Sequence, residues 1–226
     1  MNRRILTSAV GAAIAVVVSV SAWPPGAGAA VSQPVSGGGY YVPGTASTGS
    51  VRFIVPSPTC GIGETSALFV GLQSAAADTS SSTFASGVLS VCVAGIPGTI
   101  AIQYVDDVGT ALPGVQPGDK LIASFDHGTG QATVKDVSMG TSSSIDIPDV
   151  TNQAGVFFGV HPAQSVVPML EGGKVTLTTT VDGGSLAAAS PVRQAKRIGG
   201  ISLTPSAISA ASGKAFAVRE TNHNTA

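Results

Sequence analysis

Apolar residues along this chain fall either in alternation with polar ones or in short unbroken runs, and turn-forming residues separate the runs. Ser50 to Val55 ends at Pro56-Ser57-Pro58, and Ala67 to Leu72 is continuously apolar, the pattern of a strand covered on both faces. Gly87 to Ala94 comes next. Gly95, Pro97 and Gly98 then turn the chain into Thr99 to Val105, where Ile100, Ile102 and Tyr104 alternate with Ala101 and Gln103. The turn Gln116-Pro117-Gly118-Asp119 leads into Leu121 to Phe125, and His127-Gly128-Thr129-Gly130 predicts a hairpin loop into Gln131 to Val137. Thr141 to Ile147, Gly155 to Val160 and Lys174 to Val181 complete the predicted strands. No stretch has the spacing of an amphipathic helix, so the expectation is an all-β domain, an antiparallel two-sheet β-sandwich.

The ends of the chain read differently. Arg3 and Arg4 precede an uncharged apolar run from Ile5 to Ala22. Pro24, Pro25 and Gly26 follow, and then the small-residue exit Ala27-Gly28-Ala29, which together predict an export signal over residues 1–29. Residues 30–48, rich in Gly, Ser and Pro, are expected to be a linker or an edge segment, and residues 49–186 the sandwich domain. Beyond Leu186 the periodicity stops, which predicts a flexible tail over 187–226 with Ile198 to Leu203 its one strand-like stretch.

Only 10% of residues are charged and the net charge is −1, which leaves no basic footprint for nucleic acid and no polybasic patch for a membrane surface. The expectation is a monomer, outside the cell or in its envelope. The Ala- and Gly-rich leader suits a high-GC bacterium. Cys60 and Cys92 are the two cysteines, and in an exported chain they predict one disulfide. His127, His161 and His223 lack ligand spacing, so no metal or other cofactor is expected. Asp106-Asp107 and Asp146 with Asp149 are placed for capping turns. Asp126-His127 near Ser124 has the residue types of a hydrolytic triad, but neighbours on a strand point to opposite faces.

The order of motifs resembles the glutamic peptidases, the eqolisin family. Phe53-Ile54-Val55-Pro56 looks like that family's opening strand, and Ala67-Leu68-Phe69-Val70-Gly71-Leu72 like its Ala-Trp-Val-Gly-Ile-Asp strand. Ala85-Ser86-Gly87-Val88 falls where the family has Gln-Thr-Gly-Val. Pro117-Gly118-Asp119 and Gly130-Gln131-Ala132-Thr133-Val134 match its Ala-Gly-Asp turn and Gly-Ser-Ala-Thr-Val hairpin. Asn152 to Phe158 sits at its Asn-Ala-Glu-Trp-Ile-Val, and Gly173 to Thr178 at its closing strand. The resemblance implies a concanavalin A-like, lectin-like jelly roll whose concave sheet carries the site. It also implies acid proteolysis by a Glu that takes a proton from water and a Gln that holds the developing oxyanion.

In this chain the Gln position of the family reads Ala85 and the Glu position reads Gly155, while the Asp after Val-Gly-Ile reads Gln73. The candidate cleft is therefore Phe69, Gln73, Gln103, Tyr104, Gln153 and Phe157, with no catalytic residue. Gln153, two positions from Gly155, is expected on the same strand face. The expectation is a non-catalytic relative that binds a polypeptide or a glycan in the concave sheet. Two rivals remain: an active acid endopeptidase whose acid lies elsewhere, and a carbohydrate-binding module using Tyr40, Tyr41 or Tyr104.

Overall fold

A computed structural model of the chain describes residues 37–76, 83–106, 108–147, 153–163, 166–198 and 200–223. The predicted export signal lies outside them, as do Asp107 and Asp149. With few helix-forming stretches, the main chain satisfies its hydrogen bonds in ladders. The first strands are β1 (Gly38–Pro43), β2 (Thr48–Ile54), β3 (Pro58–Thr59), β4 (Ser66–Ala76), β5 (Phe84–Val93) and β6 (Ile96–Val105). There follow β7 (Val108–Leu112), β8 (Lys120–Asp126), β9 (Gln131–Asp136), β10 (Thr141–Asp146), β11 (Gln153–Pro162) and β12 (Met169–Leu170). The last are β13 (Lys174–Val181), β14 (Gly184–Ser185), β15 (Val192–Gln194), β16 (Lys196–Ile198), β17 (Ile201–Pro205) and β18 (Ala215–Asn222). Two short 3₁₀ turns, Glu171–Gly173 and Leu186–Ala189, interrupt them.

The strands pair antiparallel into two large sheets, as expected. Sheet A runs β15-β1-β11-β4-β5-β6-β7, and sheet B runs β10-β9-β8-β2-β13-β18-β17-β16 with β14 beside β13. Alternation decides which side chains meet between them: on β2, Val51 and Phe53 are buried while Arg52 and Ile54 point to solvent. The core between the sheets takes Leu68, Val70, Leu72, Phe158 and Val160 from sheet A and Phe125, Leu177, Phe216 and Val218 from sheet B. Each such side chain contributes roughly 1.5–3 kcal/mol when fully buried. Outside the sandwich, β3 pairs with β12 as a short strap, and Cys60 just after it is bonded to Cys92 of β5 with Cα atoms 5.6 Å apart. A closure across 32 residues contributes about 4 kcal/mol in the chain-entropy model.

All the strands predicted from periodicity are present, and several more appear. The expected flexible tail is corrected: β15 edges sheet A, and β18 lies inside sheet B, paired to β13 on one side and β17 on the other. The reason is burial, because Phe216, Val218 and Leu203 complete the core. The segment expected as a linker or an edge segment contains a strand, since β1 pairs with β11 on one side and β15 on the other. Among the described residues no helix is long and apolar enough to cross a membrane.

Candidate functional site

The positions singled out by the sequence converge on the outer face of sheet A, opposite the core. One cross-strand row reads Tyr41 on β1, Phe157 on β11, Gln73 on β4, Ala85 on β5 and Tyr104 on β6. The neighbouring row on that face is glycine on four successive strands, Gly39, Gly159, Gly71 and Gly87. Beyond it stand His161, Phe69 and Leu89. The glycines have a steric reason. A Cβ on Gly71 or Gly87 would come within 3.0 or 2.8 Å of the Phe69 ring, and one on Gly39 or Gly159 within 2.8 Å of the Phe157 ring. The two phenylalanines lean from the flanking rows over a trough of bare backbone. His161 packs against both, with ring centroids 4.7 Å from Phe69 and 6.4 Å from Phe157, and Tyr104 meets Phe69 edge-on at 6.5 Å.

Two of the six candidate residues are not on this floor. Gln103 faces the sandwich interior and donates through Nε2 to the Ser143 carbonyl of the opposite sheet, as Ser86 beside it does to Thr133. Gln153 is turned by a β-bulge: it pairs with Ala76, whereas Gly155 pairs with Ala75. The register therefore puts Gln153 on the face shared with Ser74 and Leu72, not with Gly155. Tyr41 was a candidate only for a carbohydrate-binding surface, and His161 and the glycine row were not among the cleft candidates. Their signal was available as spacing, since Gly71 and Gly159 each stand two residues from the aromatic and polar floor positions on their own strands.

The floor is filled. Phe157 and Ala85 are 0% exposed, Phe69 1% and Gln73 3%, so these side chains form packed clusters of their own where an open cleft was expected. Gly155 is as tightly enclosed as the glycines of that row. A Cβ there would stand 2.2 Å from the Val42 carbonyl oxygen and 2.6 Å from the Tyr41 ring. Tyr41 is pinned in that place by donating its hydroxyl to the Ala154 carbonyl at 2.5 Å.

The polar groups of the floor are neutral ones. Burial pushes the Tyr41 hydroxyl upward and the Tyr104 hydroxyl up to about 12. His161 is held down at about 4, chiefly by burial, with the opposing help of a hydrogen bond to the Pro162 carbonyl. A carbonyl can only accept, so Nδ1 carries the proton of that bond. Among the described residues, those whose register places them on this face include no Asp or Glu. The arrangement offers hydrogen-bond donors and acceptors but no ionised carboxylate.

The remaining clusters have structural partners. Asp106 Oδ1 accepts from Thr83 N at 2.9 Å and closes the open end of the β5–β6 pair. Asp126 Oδ1 accepts from Gly128 N and Thr129 N, forming the turn into β9, and the His127 ring packs on Phe84 and Phe125. Among the described residues no three His, Cys, Asp or Glu side chains are grouped for a metal.

No protein-family model and no curated protein sequence matches the chain. Solved structures do. Scytalido-glutamic peptidase with a transition state analog inhibitor superposes with a TM-score of 0.62 at 16% identity, covering 83% of this chain and 98% of that one. A second structure of it, with a peptide-based analog, gives 0.61 at 15%. SCP-B, a member of the eqolisin family in a complex with the tripeptide Ala-Ile-His, gives 0.60 at 15%, covering 84% of this chain and 100% of its own. The chain has the fold of the glutamic peptidases.

Proposed function

We propose that this chain is an exported, non-catalytic protein built on the glutamic-peptidase fold, with a binding role outside the cell or in its envelope. The observation that carries the reading is the packing at Gly155. Where the resemblance expects the catalytic glutamate, the Tyr41 ring and the Val42 carbonyl leave no room for even a Cβ. Ala85, at the position matched to the glutamine, contributes a buried methyl group that neither donates nor accepts. Hydrolysis of an amide needs a base at the attacking water and a donor at the oxyanion, and loss of one such donor alone typically costs about 10²- to 10³-fold in rate. The filled trough supports the same reading, because a substrate backbone would have to displace Phe69 and Phe157 from the glycine row. The disulfide supports an oxidising compartment.

The test is proteolysis of an acid-denatured protein substrate by the purified chain at about pH 2 to 5, the range in which a carboxylate–amide pair works. No cleavage above background is expected. Cleavage that a single acid-to-amide substitution such as Asp107→Asn abolishes would overturn the proposal in favour of the active-endopeptidase reading.

A further inference from the structure

A cavity lies on the other sheet, where β2 and β13 part. They pair from Gly49 with Val181 to Arg52 with Thr178, and no further. Continued in the same register, Ile54 would face Thr176 and Pro56 would face Lys174, but an open slit of about 480 Å³ separates them. Its walls are Ile54 to Ser57 on one side and Lys174 to Thr176 on the other, with Pro117, Gly118 and Glu171 at the rim. Two features hold it open. Val55 is drawn to the far side, donating to Asp119 O and accepting from Gly118 N, each at 2.9 Å. Pro56, without an N–H, cannot continue the ladder to β13. At its end the slit is closed by Glu171 N donating to Ser57 O at 2.8 Å.

Strand alternation fixes which main-chain groups point inward. Because Val55 directs both its groups to the β8 side, Ile54 directs its N–H and C=O into the slit. Thr179 N donates toward β18, to Lys214 O, so Thr176 and Lys174 direct their main-chain groups the opposite way, also into the slit. No strand pairs with Ile54, Thr176 or Lys174 on that side.

We propose that the slit is a docking site for an extended polypeptide segment of a partner protein, held by main-chain hydrogen bonds to the exposed edge of β13 and to Ile54. An extended backbone supplies donors and acceptors at the same two-residue spacing as that edge. The slit, from the Arg52–Thr178 pair to the Ser57–Glu171 bond, accommodates roughly four residues at about 3.3 Å each. Ile54, 59% exposed, offers an apolar contact, and Lys174 in the wall can meet an acidic side chain while Glu171 at the rim can meet a hydroxyl. The site shares no residue with the floor of sheet A, so the proposal stands or falls independently of the proteolysis test.

The probe is an end-blocked, fluorescein-labelled Thr-Val-Thr-Asp tetrapeptide, titrated into the full chain by fluorescence anisotropy. Saturable binding is expected. Thr176→Pro, which removes an N–H facing the slit and none that faces β18, should weaken it about tenfold, the worth of one good hydrogen bond. Ile54→Pro, which removes the slit-facing N–H of the opposite wall and none that faces β8, should weaken it to a similar degree. No saturable binding to the unmodified chain, or undiminished binding in both proline variants while circular dichroism shows them folded, would overturn the proposal.

Discussion

Gly155 shows how much a single position decides. Adding one methyl group there brings a Cβ to 2.2 Å from the Val42 oxygen, a distance that backbone must move to relieve. Gly155→Ala should therefore lower stability by about 1–3 kcal/mol, the usual cost of overpacking, in a denaturant melt. Gly109→Ala is the matched comparison, because its nearest atom would lie at 3.5 Å on an exposed edge strand, and it should stay within about 0.5 kcal/mol of the unmodified chain. Equal losses from the two would contradict the crowding at Gly155. The same residue marks the limit of what the sequence could tell about the site. That Ala85, Gln73, Tyr104, Phe69 and Phe157 lie together was legible from the family resemblance, with alternation putting Phe69 and Gln73 on one face of their strand. That Gln153 does not share it was hidden, because a bulge adds one residue without leaving a distinctive side chain. Nor could spacing reveal that Tyr41, about a hundred residues earlier in the chain, fills the space at Gly155.

Among the elements, β18 carries the most weight for its position. It lies inside sheet B and contributes Phe216 and Val218 to the core, and its Glu220 accepts from Leu170 N at 2.7 Å. Phe216→Ala should cost about 3–5 kcal/mol in a thermal or denaturant melt, and truncation after Ser212 should abolish the β-sheet circular dichroism signal. A truncated chain that melts like the full one would make β18 an accessory. The strands legible in advance are those whose own residues alternate or run apolar, such as β2, β4 and β8. β1 was not, because its Gly38 answers to a distant contact: a Cβ there would be 2.8 Å from Leu203 and Val218 side-chain atoms. β7 was not either, since four of its five residues are exposed and pairing with β6 alone makes it a strand. In β18 the alternation is present, but Ser-, Ala- and Gly-rich sequence precedes it and masks it.

Across the molecule, the buried His161 and Glu220 carry shifts that act in opposite directions with pH. His161 is shifted from 6.5 down to about 4, so as pH falls through that window the unfolded chain gains a proton that the folded one refuses, and stability drops toward acid. Glu220 is shifted from 4.5 up to about 6 by burial, against the pull of its Leu170 hydrogen bond. Its contribution is complete below 4.5 and disappears as pH rises through 6. The two slopes offset each other where they overlap. His161→Phe should leave a melting temperature that falls as pH rises between about 4.5 and 6, and Glu220→Gln one that rises with pH between about 4 and 6.5. Melting temperatures measured across that range check both, and slopes unchanged in either variant would contradict the assignment. The strand order has a consequence for how such a chain is made. β2 lies between β8 and β13, and β13 itself waits for β18, so sheet B cannot be completed until β18 is available. A chain emerging amino-terminus first would hold the β2–β8–β9–β10 meander together early while one side of β2 stayed bare. During that interval it is a sticky template for other nascent chains, so slow folding and a need for escort until β18 arrives are built into the topology.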